Sequence, residues 1–81
     1  MNQIIHFTVS GNRYSISKRE IEQKMRGIAP ESTRKYRIAI NGIDYPIKQV
    51  LESITGLSRS AFTSQEAMRV LRKFEFLISE N

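Results

Sequence analysis

The 81-residue chain has no cysteine, no tryptophan and a single histidine. Without cysteine the protein can form neither a disulfide framework nor a thiolate metal site, so a reducing, intracellular compartment is the simplest setting. Its apolar runs are short and polar residues begin at the second position, which predicts neither a membrane span nor a signal peptide. We therefore expect a cytoplasmic protein whose fold depends on apolar packing.

The same composition offers little to catalysis. Nucleophilic or hydrolytic chemistry needs a nucleophile with a base in reach, paired carboxylates or a metal constellation. The lone His6 falls on the polar side of the first predicted strand, where no partner can be named. The acidic residues are scattered and the four glycines stand singly at turns, which indicates neither a metal site nor a phosphate-binding loop. We predict a protein that is not an enzyme and that needs no cofactor and no metal.

What the chain does have is positive charge. Its 13 Lys and Arg residues against 8 Asp and Glu give a net charge of +5. A balance of this kind favours polyanionic partners through the field of the whole molecule. It is not sufficient by itself, since many small basic proteins bind no nucleic acid.

Local patterns predict the first elements. The alternation of apolar and polar residues over 5–10 is typical of a strand with one buried face, and a short return strand is expected over 14–16. Ser17 and Glu20 have the spacing of a capping box, in which each side chain bonds the backbone N–H of the other. A first helix is therefore predicted directly after Ser17, with Gly27 as its left-handed end.

The clearest structural signal is the stretch 36–45. An Asn-Gly dipeptide at its centre is typical of a type I′ turn, and a two-residue loop fixes the register of the strands on either side. Ile40 must then face Ile43, and Ile38 must face Tyr45. All four land on one side of the hairpin, so turn chemistry and hydrophobic pattern agree independently.

A second helix is predicted directly after this hairpin. Pro46 suits the first turn of a helix, where its missing N–H costs nothing, and Gly56 suits the end. The apolar residues between them form a wide stripe, with Lys48 and Gln49 off it. Lys48 lies beside the free N–H groups of the first turn, where a lysine is electrostatically unfavourable. A phosphate contact would explain it, and a plain solvent-exposed lysine remains the simpler alternative.

The third helix begins with another capping box over 63–66, and the aromatic and β-branched segment 74–79 predicts a final strand. At this length the chain forms one core, so residues 1–81 are a single domain. The predicted fold is α+β: a small, mainly antiparallel sheet with a 36–45 hairpin, and three short helices packed on one face.

The run over 45–76 resembles a small bacterial module with the pattern Tyr-Pro-x-Lys, helix, Thr-Gly-Leu, Phe-Thr-Ser, helix and a terminal aromatic. The matching residues are Tyr45, Pro46 and Lys48, then Thr55, Gly56 and Leu57, then Phe62, Thr63 and Ser64, with Ala67, Leu71 and Phe76. Such modules look like uncharacterised stand-alone proteins, and a similar pattern precedes nuclease domains in some restriction-type proteins. The resemblance implies a DNA-reading or DNA-positioning role by analogy.

The chain departs from the module's pattern at one position. The modules end the last helix with glycine before the final aromatic, and Glu75 stands there instead. If that glycine serves as a left-handed cap, the local turn is expected to differ in this chain.

The candidate nucleic-acid-binding residues are basic and fall into two groups in the sequence, one at the entry to the hairpin and one along the third helix. They are Arg34, Lys35, Arg37, Lys48, Arg59, Arg69, Arg72 and Lys73. If the groups converge, they form a stripe that binds phosphates with salt-dependent affinity, and if they diverge they are ordinary solvated faces. Tyr14 and Tyr36 can stack on bases if exposed, although core-edge packing is the commoner role of such tyrosines.

Two functions are therefore consistent with the sequence. The first is a non-enzymatic module that binds nucleic acid, with DNA as the favoured form, through this basic surface. The alternative is a protein–protein adaptor, with a dimer as one form, that uses a sheet edge such as 4–9.

Overall fold

The computed structural model describes residues 3–32 and 35–80. The elements in chain order are β1 Ile4–Val9, β2 Asn12–Ser17, α1 Lys18–Met25, β3 Tyr36–Ile40, β4 Ile43–Pro46, α2 Ile47–Thr55, a short 3-10 helix Arg59–Ala61, α3 Ser64–Arg72 and β5 Leu77–Glu80. The α+β class predicted from the sequence is confirmed.

The strands are divided between two antiparallel sheets. β1 and β2 pair only with each other and form a separate hairpin, while the second sheet has the order β4-β3-β5. The final strand therefore returns beside the hairpin of β3 and β4, with Ile38 opposite Ile78. β3 is therefore the central strand of this sheet and has a partner on both edges.

The register predicted for the β3–β4 hairpin is confirmed. Ile40 faces Ile43 and Ile38 faces Tyr45, and both residues of the Asn-Gly turn have positive φ. Ile43 is nevertheless 40% exposed, although Ile40 opposite it is buried.

Helix boundaries follow the capping chemistry. Both predicted capping boxes form, with reciprocal bonds of 3.1 Å between Ser17 and Glu20 and of 3.1 and 3.2 Å between Thr63 and Glu66. Pro46 lies one residue earlier than expected, as the N-cap of α2, and contributes no side-chain hydrogen bond there.

Tyr45 joins the hairpin to the end of α1. Its side chain is fully buried, and its hydroxyl lies 3.1 Å from the carbonyl oxygen of Met25 and 2.8 Å from that of Ile28. The ring supplies apolar burial in the core, and the single hydroxyl proton donates to one of these carbonyls at a time. The Met25 carbonyl also accepts from the N–H of Ile28 at 3.2 Å.

Gln49 is buried, which corrects the prediction that it lies off the buried stripe of α2. The connector after α1 crosses this flank of the helix and brings backbone groups that need partners. The Gln49 amide oxygen accepts from the N–H of Glu31 at 3.0 Å, and its amide nitrogen donates to the carbonyl of Ala29 at 3.0 Å. Because its amide group bonds two backbone groups that need partners, the Gln49 side chain can be buried at little cost in free energy.

We expect Tyr45→Phe to lower the free energy of unfolding by about 1 to 2 kcal/mol, because the ring stays but the hydrogen bond donated by the hydroxyl is lost. Urea denaturation followed by circular dichroism measures the change. Tyr14→Phe is the matched control, since no hydrogen bond of the Tyr14 hydroxyl is found among the described residues and its removal should leave stability nearly unchanged. Equal stability of the two variants would contradict the role given to the Tyr45 hydroxyl.

The turn between α3 and β5 corrects the expectation drawn from Glu75. The backbone of Glu75 has φ of 62°, so it takes the left-handed conformation although it is not glycine. The N–H of Glu75 still bonds the carbonyl of Arg72 at 3.2 Å. The left-handed turn therefore forms in this chain, although Glu75 and not glycine occupies the position.

We expect Glu75→Gly to raise the free energy of unfolding by roughly 0.5 to 1 kcal/mol, because glycine removes the steric cost of the left-handed conformation. Glu75→Ala is the matched control: it removes the same carboxylate and keeps the Cβ atom that causes the strain. Thermal denaturation of both variants is the measurement. A glycine variant no more stable than the alanine variant would show that the position carries no strain.

Candidate functional site

The predicted basic residues lie around two regions of the surface. Arg34 falls outside the described residues, and Arg37 is half-buried on β3 opposite Pro46 and Ser79. The others border three cavities, each of which is lined in part by residues of α3. One cavity is bordered by Lys35, Lys48 and Arg59, and the other two are bordered by Arg69, Arg72 and Lys73.

The largest cavity, of about 690 Å³, lies between the start of α2 and the start of α3. We call it the lysine cavity; the residues that characterise it are Lys35, Lys48, Arg59, Tyr36, Pro46 and Gln65. Lys48 is half-buried, with its ammonium nitrogen 5.5 Å from the centroid of the Phe62 ring. Lys35 is exposed, with its ammonium 5.3 Å from the Tyr36 ring. Both tyrosine and phenylalanine faces attract a cation, so each ammonium has a preferred position.

Arg59 is held by two carboxylates rather than presented to solvent. Its two terminal nitrogens lie 2.5 Å from the two carboxylate oxygens of Glu31, and its Nε lies 3.1 Å from Glu52. Hydrogen bonding to Arg59 is the main reason that the pKa of Glu31 is lowered, and the same bond raises the pKa of Arg59. Arg59 therefore anchors the connector after α1 to α2, and most of its charge is compensated.

The pKa of Glu31 predicts a pH dependence of stability. A carboxyl group whose pKa is lower in the folded protein stabilises it above the unfolded pKa, and this contribution is lost as pH falls through the lowered folded value. We expect Glu31→Gln to be less stable than wild type at pH 7, with the difference shrinking as pH falls below the ordinary value of 4.5.

Urea denaturation of both proteins at pH 7 and at successively lower pH measures that difference. Glu22→Gln provides a control for the loss of one carboxylate, since Glu22 forms no ion pair within the described residues. A stability difference that is independent of pH would contradict the assignment to the Glu31 carboxylate.

The second basic region lies where the β1–β2 hairpin packs on the segment that follows α3 and on the 3-10 helix. The Phe7 ring meets Phe74 edge to face at 5.9 Å, and the Ser10 hydroxyl donates to the carbonyl of Ala61. This docking creates a cavity of about 550 Å³, bordered by Arg13 from the hairpin and by Arg69 and Lys73 from the α3 end of the molecule. No carboxylate lines it among the described residues.

A third, shallower cavity lies along α3. It has a volume of about 420 Å³ and is bordered by Gln65, Glu66, Met68, Arg69 and Arg72. Gln65 borders both this cavity and the lysine cavity, and Arg69 borders both this cavity and the one beside the hairpin. The three cavities are therefore neighbours along α3, which spans roughly 13 Å.

We call the four cations at the α3 end the basic stripe: Arg13, Arg69, Arg72 and Lys73. The ion pairs found in residues 3–32 and 35–80 involve only Lys35 with Glu80 and Arg59 with its two glutamates. The four cations of the stripe thus form no ion pair within that part of the chain, although the Glu66 carboxylate also borders the third cavity. Arg13 was missed by the sequence analysis, since only the docking of the hairpin on α3 places it beside Arg69.

His6 has a hydrogen-bond partner that could not be identified from the sequence alone. Its Nδ1 lies 2.7 Å from the hydroxyl oxygen of Ser15, the residue opposite it in the β1–β2 pairing. Both side chains are exposed, and in the described part of the chain no third group orients the imidazole. The pair therefore lacks the fixed geometry that an activated serine requires.

The two half-buried tyrosines pack at the edge of the core. The Tyr14 ring stacks on Phe7 with centroids 5.3 Å apart, and Tyr36 packs against the core beside Lys35. Each also borders a basic cavity, so part of each ring is accessible from outside.

These features define a small α+β domain with a basic surface along its third helix. The chain belongs to the SCO5918-like family, whose model matches residues 6–81. Comparison with curated proteins and with solved structures found no match. Among the described residues, no group of three or more potential metal ligands occurs, and no helix has the length and apolar content needed to cross a bilayer.

Proposed function

We propose that the protein is a non-enzymatic module that binds nucleic acid, with DNA as the favoured form, and that it acts in the cytoplasm. The observation that carries the proposal is the basic stripe, in which four cations line two neighbouring cavities without intramolecular ion pairs in the described residues. Cations that are already paired gain little from a phosphate, whereas unpaired ones release counterions from the nucleic acid when they bind.

The predicted site residues take different parts in this proposal. Arg69, Arg72 and Lys73 contact phosphates at the centre, joined by Arg13. Lys35 and Lys48 extend the surface at the start of α3. Arg37 and the compensated Arg59 contribute at its margin, and Arg34, which lies outside the described residues, stays a candidate without a place in this surface.

The stripe is suited to backbone recognition rather than to base reading. Arginine and lysine on an exposed helix face contact phosphates, which fixes the position of the nucleic acid and carries no sequence information directly. The accessible part of Tyr14 in the hairpin cavity adds a surface on which a base can stack. The resemblance to modules that precede nuclease domains supports the choice of DNA, by analogy alone.

We expect the double variant Arg69→Glu/Arg72→Glu to bind mixed-sequence DNA at least about tenfold more weakly than wild type. The slope of log affinity against log salt should also decrease in magnitude by roughly two, one for each lost phosphate contact. Fluorescence anisotropy with labelled duplex, single-stranded DNA and RNA measures both quantities.

The control is Arg19→Glu/Lys24→Glu on α1, which changes the net charge equally and borders none of the three cavities. Equal losses in the two double variants would mean that net charge, rather than the stripe, governs binding. Full affinity in Arg69→Glu/Arg72→Glu would overturn the assignment to α3.

A protein–protein adaptor is the alternative, and one observation favours it. β1 pairs with β2 alone, so its other edge is free within the described residues, and Ile4 on this strand is 48% exposed. An open strand edge with an exposed apolar side chain can pair with another chain. Association that is insensitive to salt, together with absence of affinity for all three nucleic acids, would favour the adaptor.

A further inference from the structure

The lysine cavity has features that a phosphate-backbone surface does not require. It is larger than either of the other two cavities, and one side of it is formed by Tyr36, Pro46 and Ile47. We propose that this cavity is a binding site for a nucleotide that carries a phosphate monoester. The site does not depend on the proposed function, since a free nucleotide would bind it whether or not α3 binds a strand.

The charge of the cavity matches such a ligand. Three cationic side chains and one carboxylate border it, which leaves a net charge of +2. A phosphate monoester carries about −1.5 to −2 at pH 7. Arg59 is occupied by Glu31, so Lys35 and Lys48 are the side chains free to contact the phosphate. The Lys35 ammonium does meet Glu80, but at 3.9 Å and with both side chains more than half exposed, a contact that is easily exchanged.

Lys48 supports the assignment by its unusual position. It lies in the first turn of α2, which contains no acidic residue, and the N-cap Pro46 offers no side-chain acceptor. A lysine at the positive end of a helix is unfavourable, whereas an anion there accepts from both the ammonium and the free backbone N–H groups. The Phe62 ring, 5.5 Å from the ammonium, keeps this charge beside the cavity.

The remaining walls distinguish a nucleotide from a bare anion. The half-buried side chains of Tyr36 and Pro46 can pack against a base or a sugar, and Ser64 and Gln65 add polar groups on the α3 side. A volume of about 690 Å³ falls within the usual range for small-molecule sites. Such sites combine apolar walls with a few polar groups that orient the ligand. Inorganic phosphate would fill only the charged part.

Two sources can supply this chemistry. One is a free nucleoside monophosphate, and the other is the phosphorylated 5′ end of a strand. Because Gln65 is shared between the lysine cavity and the cavity that leads to the basic stripe, a strand lying along α3 can reach the lysine cavity with its end.

The test is isothermal titration of the full chain with adenosine monophosphate, adenosine and inorganic phosphate, followed by oligonucleotides with and without a 5′ phosphate. We expect adenosine and inorganic phosphate each to bind at least about tenfold more weakly than adenosine monophosphate, since each lacks one half of the recognised group. Lys48→Met and Lys35→Met should each weaken adenosine monophosphate binding, while Lys24→Met on α1 should not. A preference for the 5′-phosphorylated oligonucleotide would identify the strand end as a ligand in its own right.

No measurable binding of adenosine monophosphate at millimolar concentration would overturn the proposal. Inorganic phosphate binding as tightly as adenosine monophosphate would overturn the nucleotide assignment, and unchanged binding by both lysine variants would overturn the location. Arg69→Glu/Arg72→Glu separates this site from the proposed function. The variant should retain its affinity for adenosine monophosphate even if it loses long strands.

Discussion

The burial of Tyr45 is the interaction on which the rest of the structure depends. Its ring lies at the centre of the core, and its hydroxyl reaches the carbonyls at the end of α1, so one side chain fixes the β3–β4 hairpin relative to the first helix. Pro46 follows immediately and starts α2, which places the lysine-bearing first turn next to the connector that Gln49 holds. Residues 45–49 therefore contribute both to the core and to the position of the lysine cavity.

The proposed binding surface depends on a second packing contact, between the β1–β2 hairpin and the segment that follows α3. The contact of Phe7 with Phe74 is apolar and buried, yet its consequence is electrostatic, because it brings Arg13 beside Arg69. Cations that are far apart in the sequence are brought together at a cost in repulsion that water and salt reduce. A polyanion lowers that repulsion further, which is the physical reason for proposing one as the partner.

Much of the fold could be predicted because its signals are local. The Asn-Gly turn determined the register of β3 and β4, and the two capping boxes determined where α1 and α3 begin. Tertiary contacts decided the rest. Helical periodicity places Gln49 outside the buried stripe, and only the connector that crosses α2 explains its burial. Arg13 and the compensated charge of Arg59 likewise depend on partners distant in sequence, so composition alone overstated Arg59 and overlooked Arg13.

The central claim is that the basic stripe along α3 binds nucleic acid, and backbone amide chemical shifts test it residue by residue. A short mixed-sequence DNA duplex titrated into the 15N-labelled protein should shift the amides around Arg13 and those from Gln65 to Lys73, with smaller shifts when salt is raised. Amides on α1 should change little. Shifts confined to the free edge of β1, or no shifts at low salt, would contradict the account.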